Sequence, residues 1–127
     1  MTAPIALVVD DDPDIRDVIE YMLEQAGFNV HLESDGESGL AAALELEPSV
    51  VLLDWMMPRL SGVEVCRILR SKDQLAAVPV IILTAKAQES EVEVGFIAGA
   101  DDYIVKPFSP RHLVRRVQAA VAQGRNA

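Results

Sequence analysis

Two residue patterns alternate along this chain, and their alternation limits the fold more than any other feature. Short apolar, β-branched runs occur at Ile5–Val9, Val30–Glu33, Val50–Leu53, Val78–Leu83 and Tyr103–Val105. Longer stretches with helical spacing lie between them. Ile15, Val18, Ile19, Met22 and Leu23 follow the i, i+3, i+4, i+7 rule, and Leu113, Val117 and Val121 repeat it near the end. Strands alternating with helices build βαβ units around a parallel sheet. The first, third and fourth runs are almost wholly apolar, as expected of strands covered by helices on both faces. Turn chemistry agrees. Asp12-Pro13 and Ser109-Pro110 are caps followed by Pro at the first helical position. Ser61 with Glu64 reads as a capping box, and Gly27 and Gly99 stand where helices should stop. Pro48 ends a helix just before the third strand. Helices are predicted at about 13–26, 36–46, 62–71, 88–98 and 110–122.

The length, 127 residues, suits one domain with one full hydrophobic core. With half its residues hydrophobic, the chain is not of a disordered class. A single cysteine, Cys66, excludes a disulfide framework, and its place on the inner side of the third helix reads as packing. His31 and His112 lack ligand spacing. No apolar run approaches a membrane span and the start lacks a signal-peptide pattern, so a cytoplasmic protein is expected. The net charge of −9 disfavours nucleic-acid binding by this domain. That charge is uneven. Residues 1–54 carry thirteen acids against one base, Arg16, whereas residues 55–127 carry seven acids against ten bases.

In a parallel sheet, function gathers beyond the carboxyl ends of the strands. Asp10-Asp11 follows the first strand, Asp54 the third, Thr84-Ala85 the fourth and Lys106-Pro107-Phe108 the fifth. Right-handed crossovers bring these ends to one edge. Three converging carboxylates repel one another unless a cation stands between them. All-oxygen ligation selects a hard ion, Mg²⁺ with Mn²⁺ as the alternative. Lys106 adds a positive charge for a phosphoryl oxygen, and Thr84 a hydrogen-bond donor. Asp12 is assigned to capping.

These residues carry a resemblance across the whole chain. VVDDD at 8–12, LLDWMMPRLSG at 52–62, ILTA at 82–85 and GADDYIVKPF at 99–108 are similar to the receiver domains of two-component response regulators. The resemblance implies a flavodoxin-like α/β fold, a five-stranded parallel sheet of order 2-1-3-4-5 flanked by five helices. It implies a receiver domain over 1–124, with 125–127 a frayed end or the start of a linker. It implies that Asp54 accepts a phosphoryl group. Asp10, Asp11, Asp54 and the backbone carbonyl of Met56 would hold Mg²⁺, Asp11 directly and Asp10 largely through water. Thr84 and Tyr103 match the family's switch residues and Lys106 its lysine, with the Lys106–Pro107 bond cis.

The implied partners are a sensor histidine kinase or phosphotransfer protein, and an output domain or partner protein. The latter would meet the face made by the 88–98 helix, the fifth strand and the 110–122 helix. The implied activity is a signalling phosphoacceptor's, not a turnover enzyme's. Aspartyl-phosphate hydrolases place a second Asp two residues after the nucleophile, where this chain has Met56. Nucleotide-binding modules carry GxxxxGK[ST] or GxGxxG after the first strand, and neither occurs here. Winged-helix regulators pair through charged residues on that same face. Asp102 and Arg116 match one such pair, but Gln123 replaces the base expected to meet Asp101, and Val92 and His112 occupy another pair's places. A monomer or a weak phosphorylation-dependent dimer follows, with Ile97 as an apolar contact.

Overall fold

The structure, a computed structural model, describes residues 3–85, 94, 96 and 98–123. Five strands form one parallel sheet: β1 (Ile5–Val9), β2 (Asn29–Glu33), β3 (Val50–Asp54), β4 (Val80–Thr84) and β5 (Asp102–Val105). Their order is β2-β1-β3-β4-β5, as the resemblance implied. The α-helices are α1 (Pro13–Gln25), α2 (Gly36–Leu46), α3 (Gly62–Ser71) and α4 (Pro110–Gln123), with a 3-10 turn at Asp73–Leu75. Four α-helices are thus present among the described residues, against five expected. The 88–98 helix falls largely outside those residues, although 94, 96 and 98 have helical backbone. Lys86, Val92, Ile97 and the boundary after residue 124 also lie outside them. Among the described residues, no helix is long and apolar enough to cross a membrane.

Period-two alternation sorts the sheet into two cores. Ala6, Val8, Val50, Leu52, Ile81, Leu83 and Ile104 face Ile19 and Leu23 of α1 and Leu113 and Val117 of α4. Leu7, Val9, Val51, Leu53, Val80 and Ile82 face Ala42 and Ala43 of α2 and Val65, Cys66 and Leu69 of α3. Each fully buried Leu or Ile contributes roughly 1.5–3 kcal/mol relative to exposure. β2 is an edge strand and only half-buried, which explains its polar His31 and Glu33.

The caps hold as read. Asp12 accepts from the Asp14 backbone N–H at 2.9 Å, and Ser109 Oγ accepts from the His112 N–H at 3.1 Å. Ser61 and Glu64 complete a capping box. Gly27 and Gly99 adopt φ of 97° and 109°, the left-handed region that glycine tolerates. α2 ends at Glu47, with φ 46°, one residue before Pro48. β4 starts two residues later than its apolar run, because Leu75 accepts the Val78 N–H and Pro79 has no N–H to offer. Asp54 and Thr84 are the last residues of β3 and β4.

Candidate functional site

The strand ends are level. Val9 pairs with Leu53, Asp54 with Leu83, and Thr84 with Val105. The next residues along β1 and β5 are therefore Asp10 and Lys106, at the same edge as Asp54 and Thr84. Oxygens of Asp10, Asp11 and Asp54 lie within 4.8 Å of one another. Asp10 is fully buried, Asp54 is 7% exposed, and Asp11 opens to solvent.

Lys106 lies across the cluster. Its Nζ donates to Asp10 Oδ2 at 2.9 Å and to Asp54 Oδ1 at 3.1 Å. The Lys106–Pro107 bond is cis. Asp10 is otherwise occupied: its Oδ1 accepts the Asp12 N–H at 2.9 Å. Asp54 has weaker support. Burial, then the charge of Asp10, pushes its carboxyl from 3.8 up to about 7, against the opposing pull of Lys106. Burial draws the Lys106 ammonium down, but its hydrogen bond to Asp10 and the charges of Asp10 and Asp54 outweigh this, so its pKa is raised. One ammonium thus serves two buried carboxylates, with a third beside them. This all-oxygen, net-negative set fits a hard divalent cation.

Thr84 is buried at the end of β4. Tyr103 is packed inward, its ring centroid 6.2 Å from Trp55 and 5.1 Å from Phe96. Aromatic contacts thus run from the residue after Asp54 toward the surface, where Phe96 is 47% exposed. The Met56 side chain is 74% exposed. His31 and His112 stay apart, on β2 and α4, and His31 pairs with Glu33 at 2.5 Å. Cys66 is buried, its Sγ 3.5 Å from the Ala98 carbonyl.

Three supports escaped sequence reasoning. Arg16 donates to the Asp10 carbonyl at 2.7 Å and so steadies the β1–α1 turn; its being the lone base among thirteen acids was the available signal. Gly62 lies against the Asp54 carbonyl, and a Cβ there would come within 2.4 Å of that oxygen. Arg70 donates to the carbonyls of Gly99 and Val78 and to the Asp101 carboxylate at 2.9 Å. Asp101, whose expected partner across a dimer is replaced by Gln123, is thus paired within its own chain. Asp102 is likewise paired, accepting two hydrogen bonds from the Arg116 guanidinium.

The profile of the response regulator receiver domain matches residues 6–118. The chain belongs to this family. Among relatives of this receiver domain, the DNA-binding response regulator MtrA of Mycolicibacterium smegmatis is 45% identical over 113 residues, which is 89% of the chain and 48% of MtrA. The receiver domain spans about half the length of such relatives. Its fold matches the chemotaxis response regulator CheY4 of Vibrio cholerae, with TM-score 0.89 and 31% identity over 93% of this chain and 98% of that one. It also matches the receiver domain of sensor histidine kinase PA1611 from Pseudomonas aeruginosa PAO1, with TM-score 0.88 and 33% identity, covering 95% of this chain and 99% of that one. The PA1611 structure has a magnesium ion coordinated in its active-site cleft.

Proposed function

We propose that this receiver domain is a phosphorylatable switch, with Asp54 as acceptor of a phosphoryl group from the phosphohistidine of a sensor histidine kinase or phosphotransfer protein. The observation that carries this reading is the setting of Asp54. It is a buried carboxylate at a strand end, beside two further carboxylates and within hydrogen-bond reach of one ammonium. A carboxylate oxygen attacks phosphorus, the P–N bond of the donor breaks, and its electron pair stays on the imidazole nitrogen. Asp54 reacts as the carboxylate, so the positive charge around it must outweigh the burial that favours its proton.

Asp10, Asp11 and Asp54, with the Met56 carbonyl, would hold Mg²⁺, with Mn²⁺ as substitute. When bound, the ion supplies positive charge to the phosphoryl oxygens and the acceptor. Asp11, which is exposed, would ligate directly. Asp10, held by Lys106 and the Asp12 N–H, would act through water. Lys106 supplies a second positive charge and holds the acceptor oxygen at 3.1 Å.

The modification adds about two negative charges at one strand end. Thr84 stands one strand away from Asp54 to donate to a phosphoryl oxygen, and Tyr103, packed between Trp55 and Phe96, carries the change outward. The face around β5 and α4 then alters its fit to an output domain or partner protein. The domain catalyses its own phosphorylation and slow dephosphorylation and turns over no small-molecule substrate. A cytoplasmic setting goes with a kinase donor.

Phosphoramidate, which offers the same P–N bond, tests the reading. With Mg²⁺ the intact mass should rise by one phosphoryl group, and with EDTA it should not. A protein that remains unmodified with Mg²⁺ contradicts the proposal.

A further inference from the structure

The loop that leaves Asp54, residues 55–61, carries the Met56 carbonyl and is tied at its ends by backbone bonds. The Trp55 N–H donates to the Leu83 carbonyl at 2.8 Å, and the Gly62 N–H to the Trp55 carbonyl at 3.0 Å. Met57 is buried in the core that α2 and α3 cover, whereas Met56 opens to solvent. Between these ties lies Arg59, with φ 69°. That is the left-handed region, which a residue with a long side chain enters only where its surroundings compensate. The compensation is visible in the first turn of α2. The Arg59 Nε lies 2.9 Å from Glu37 Oε1, and its Nη2 3.9 Å from Asp35 Oδ2. Asp35 is itself the N-cap of α2 and accepts the Ser38 N–H at 2.8 Å. The backbones also meet there. A Cβ on Gly36 would stand 2.8 Å from the Leu60 Cβ and 3.2 Å from the Leu60 carbonyl, so glycine lets α2 rest against the loop.

We propose that Arg59 is a positioning residue for the divalent-ion site: its clasp on Asp35 and Glu37 holds the 55–61 loop, and with it the Met56 carbonyl, against the start of α2. This role rests on the Mg²⁺ site proposed above. A clasp and a mere charge differ in sign. Arg59 is a cation on the loop that follows Asp54, so by charge alone it would oppose a divalent ion, and its removal would tighten binding. Removing a clasp weakens binding, because a loosened loop must be ordered when the ion binds. Arg59 and Glu37 carry opposite charges. A purely electrostatic role would therefore make their losses change affinity in opposite directions, whereas a shared clasp makes both losses weaken it.

Mg²⁺ titrations followed by Trp55 fluorescence on the intact chain form a double-mutant cycle. Arg59→Gln and Glu37→Gln should each raise the Mg²⁺ Kd roughly two- to fivefold, the size expected of an exposed ion pair, and the double variant should be no worse than either. Arg59→Lys should keep most of the affinity. In EDTA, hydrogen exchange of the 55–61 amides should quicken in Arg59→Gln, and the difference from wild type should shrink at high salt, which screens the clasp. Circular dichroism melts check that each variant is folded. Tighter Mg²⁺ binding in Arg59→Gln, losses that add in the double variant, or 55–61 exchange that matches the wild type would overturn the proposal. Exchange in EDTA involves no ion, so it decides the clasp even where Asp11→Ala binds Mg²⁺ undiminished, the result that would instead fault the ion site.

Discussion

Lys106 holds Asp54 at 3.1 Å from the end of β5, two strands away and 52 residues later in the chain. The same ammonium holds Asp10 at 2.9 Å, so its charge is divided between two buried carboxylates. At Asp54 that shared charge does not offset burial and the neighbouring charge of Asp10, so the carboxyl pKa stays raised.

A stability signature follows. Asp54 titrates near 3.8 when exposed and at about 7 in the fold. Between those values the folded protein keeps a proton that the unfolded chain releases, so stability without a divalent cation falls as pH rises through this window. Lys106 has the opposite charge type, and the stability from its raised pKa is lost only above its ordinary 10.5, outside the window. In EDTA the melting temperature of the wild type should fall from about pH 5 to about pH 8. Asp54→Asn should flatten that dependence. At the upper pH it should melt higher, by roughly 3–5 °C for a gain of about 1 kcal/mol. An Asn variant that is less stable at the upper pH would contradict the picture of an under-compensated carboxylate.

Divalent cation binding should depend most on the carboxylate that solvent reaches. Trp55, next to Asp54 and in ring contact with Tyr103, provides a fluorescence reporter. Titration with Mg²⁺ should shift its emission in the wild type, and Asp11→Ala should weaken binding at least tenfold while leaving the fold intact. Undiminished binding in that variant would move the ion away from Asp11.

Arg70 should matter for stability and not for the ion. Its side chain is 13% exposed and donates to backbone carbonyls around the entry to β4 and the turn before β5. Arg70→Ala takes the guanidinium from those carbonyls and from the Asp101 carboxylate, which keeps the Val80 N–H, at a cost of about 3 kcal/mol. Urea denaturation should show this loss, with Mg²⁺ affinity within a factor of about two of the wild type at temperatures where the variant is folded. A neutral Arg70→Ala would show that water replaces the guanidinium.

Met56 should set the lifetime of the modified state. It is bulky, apolar and mostly exposed two residues beyond Asp54, and offers an attacking water no hydrogen bond. Met56→Asn should change the hydrolysis rate several-fold, about 1 kcal/mol in the barrier. An unchanged rate would place control of water access elsewhere.

The strands and the four described helices were legible because their signals are local: apolar runs, helical spacing, and caps such as Asp12 and Ser61. Asp10, Asp54, Thr84 and Lys106 could be placed together because strand ends share an edge whatever the register. What the sequence hid was partnership at a distance. Arg70 and Asp101 are 31 residues apart, and nothing in either neighbourhood announces their ion pair. The closeness of Gly62 to the Asp54 carbonyl depends on how the loop after β3 folds back. The inward packing of Tyr103 depends on Trp55 and Phe96, which periodicity alone does not bring together.

The switch proposed for this domain turns on Asp54 as the acceptor. Acetyl phosphate with Mg²⁺, followed by peptide mapping of the modified protein, tests it most directly. One phosphoryl group is expected, on the peptide that contains Asp54 and absent from Asp54→Asn. Label that persists in Asp54→Asn, or that maps to another residue in the wild type, would contradict it.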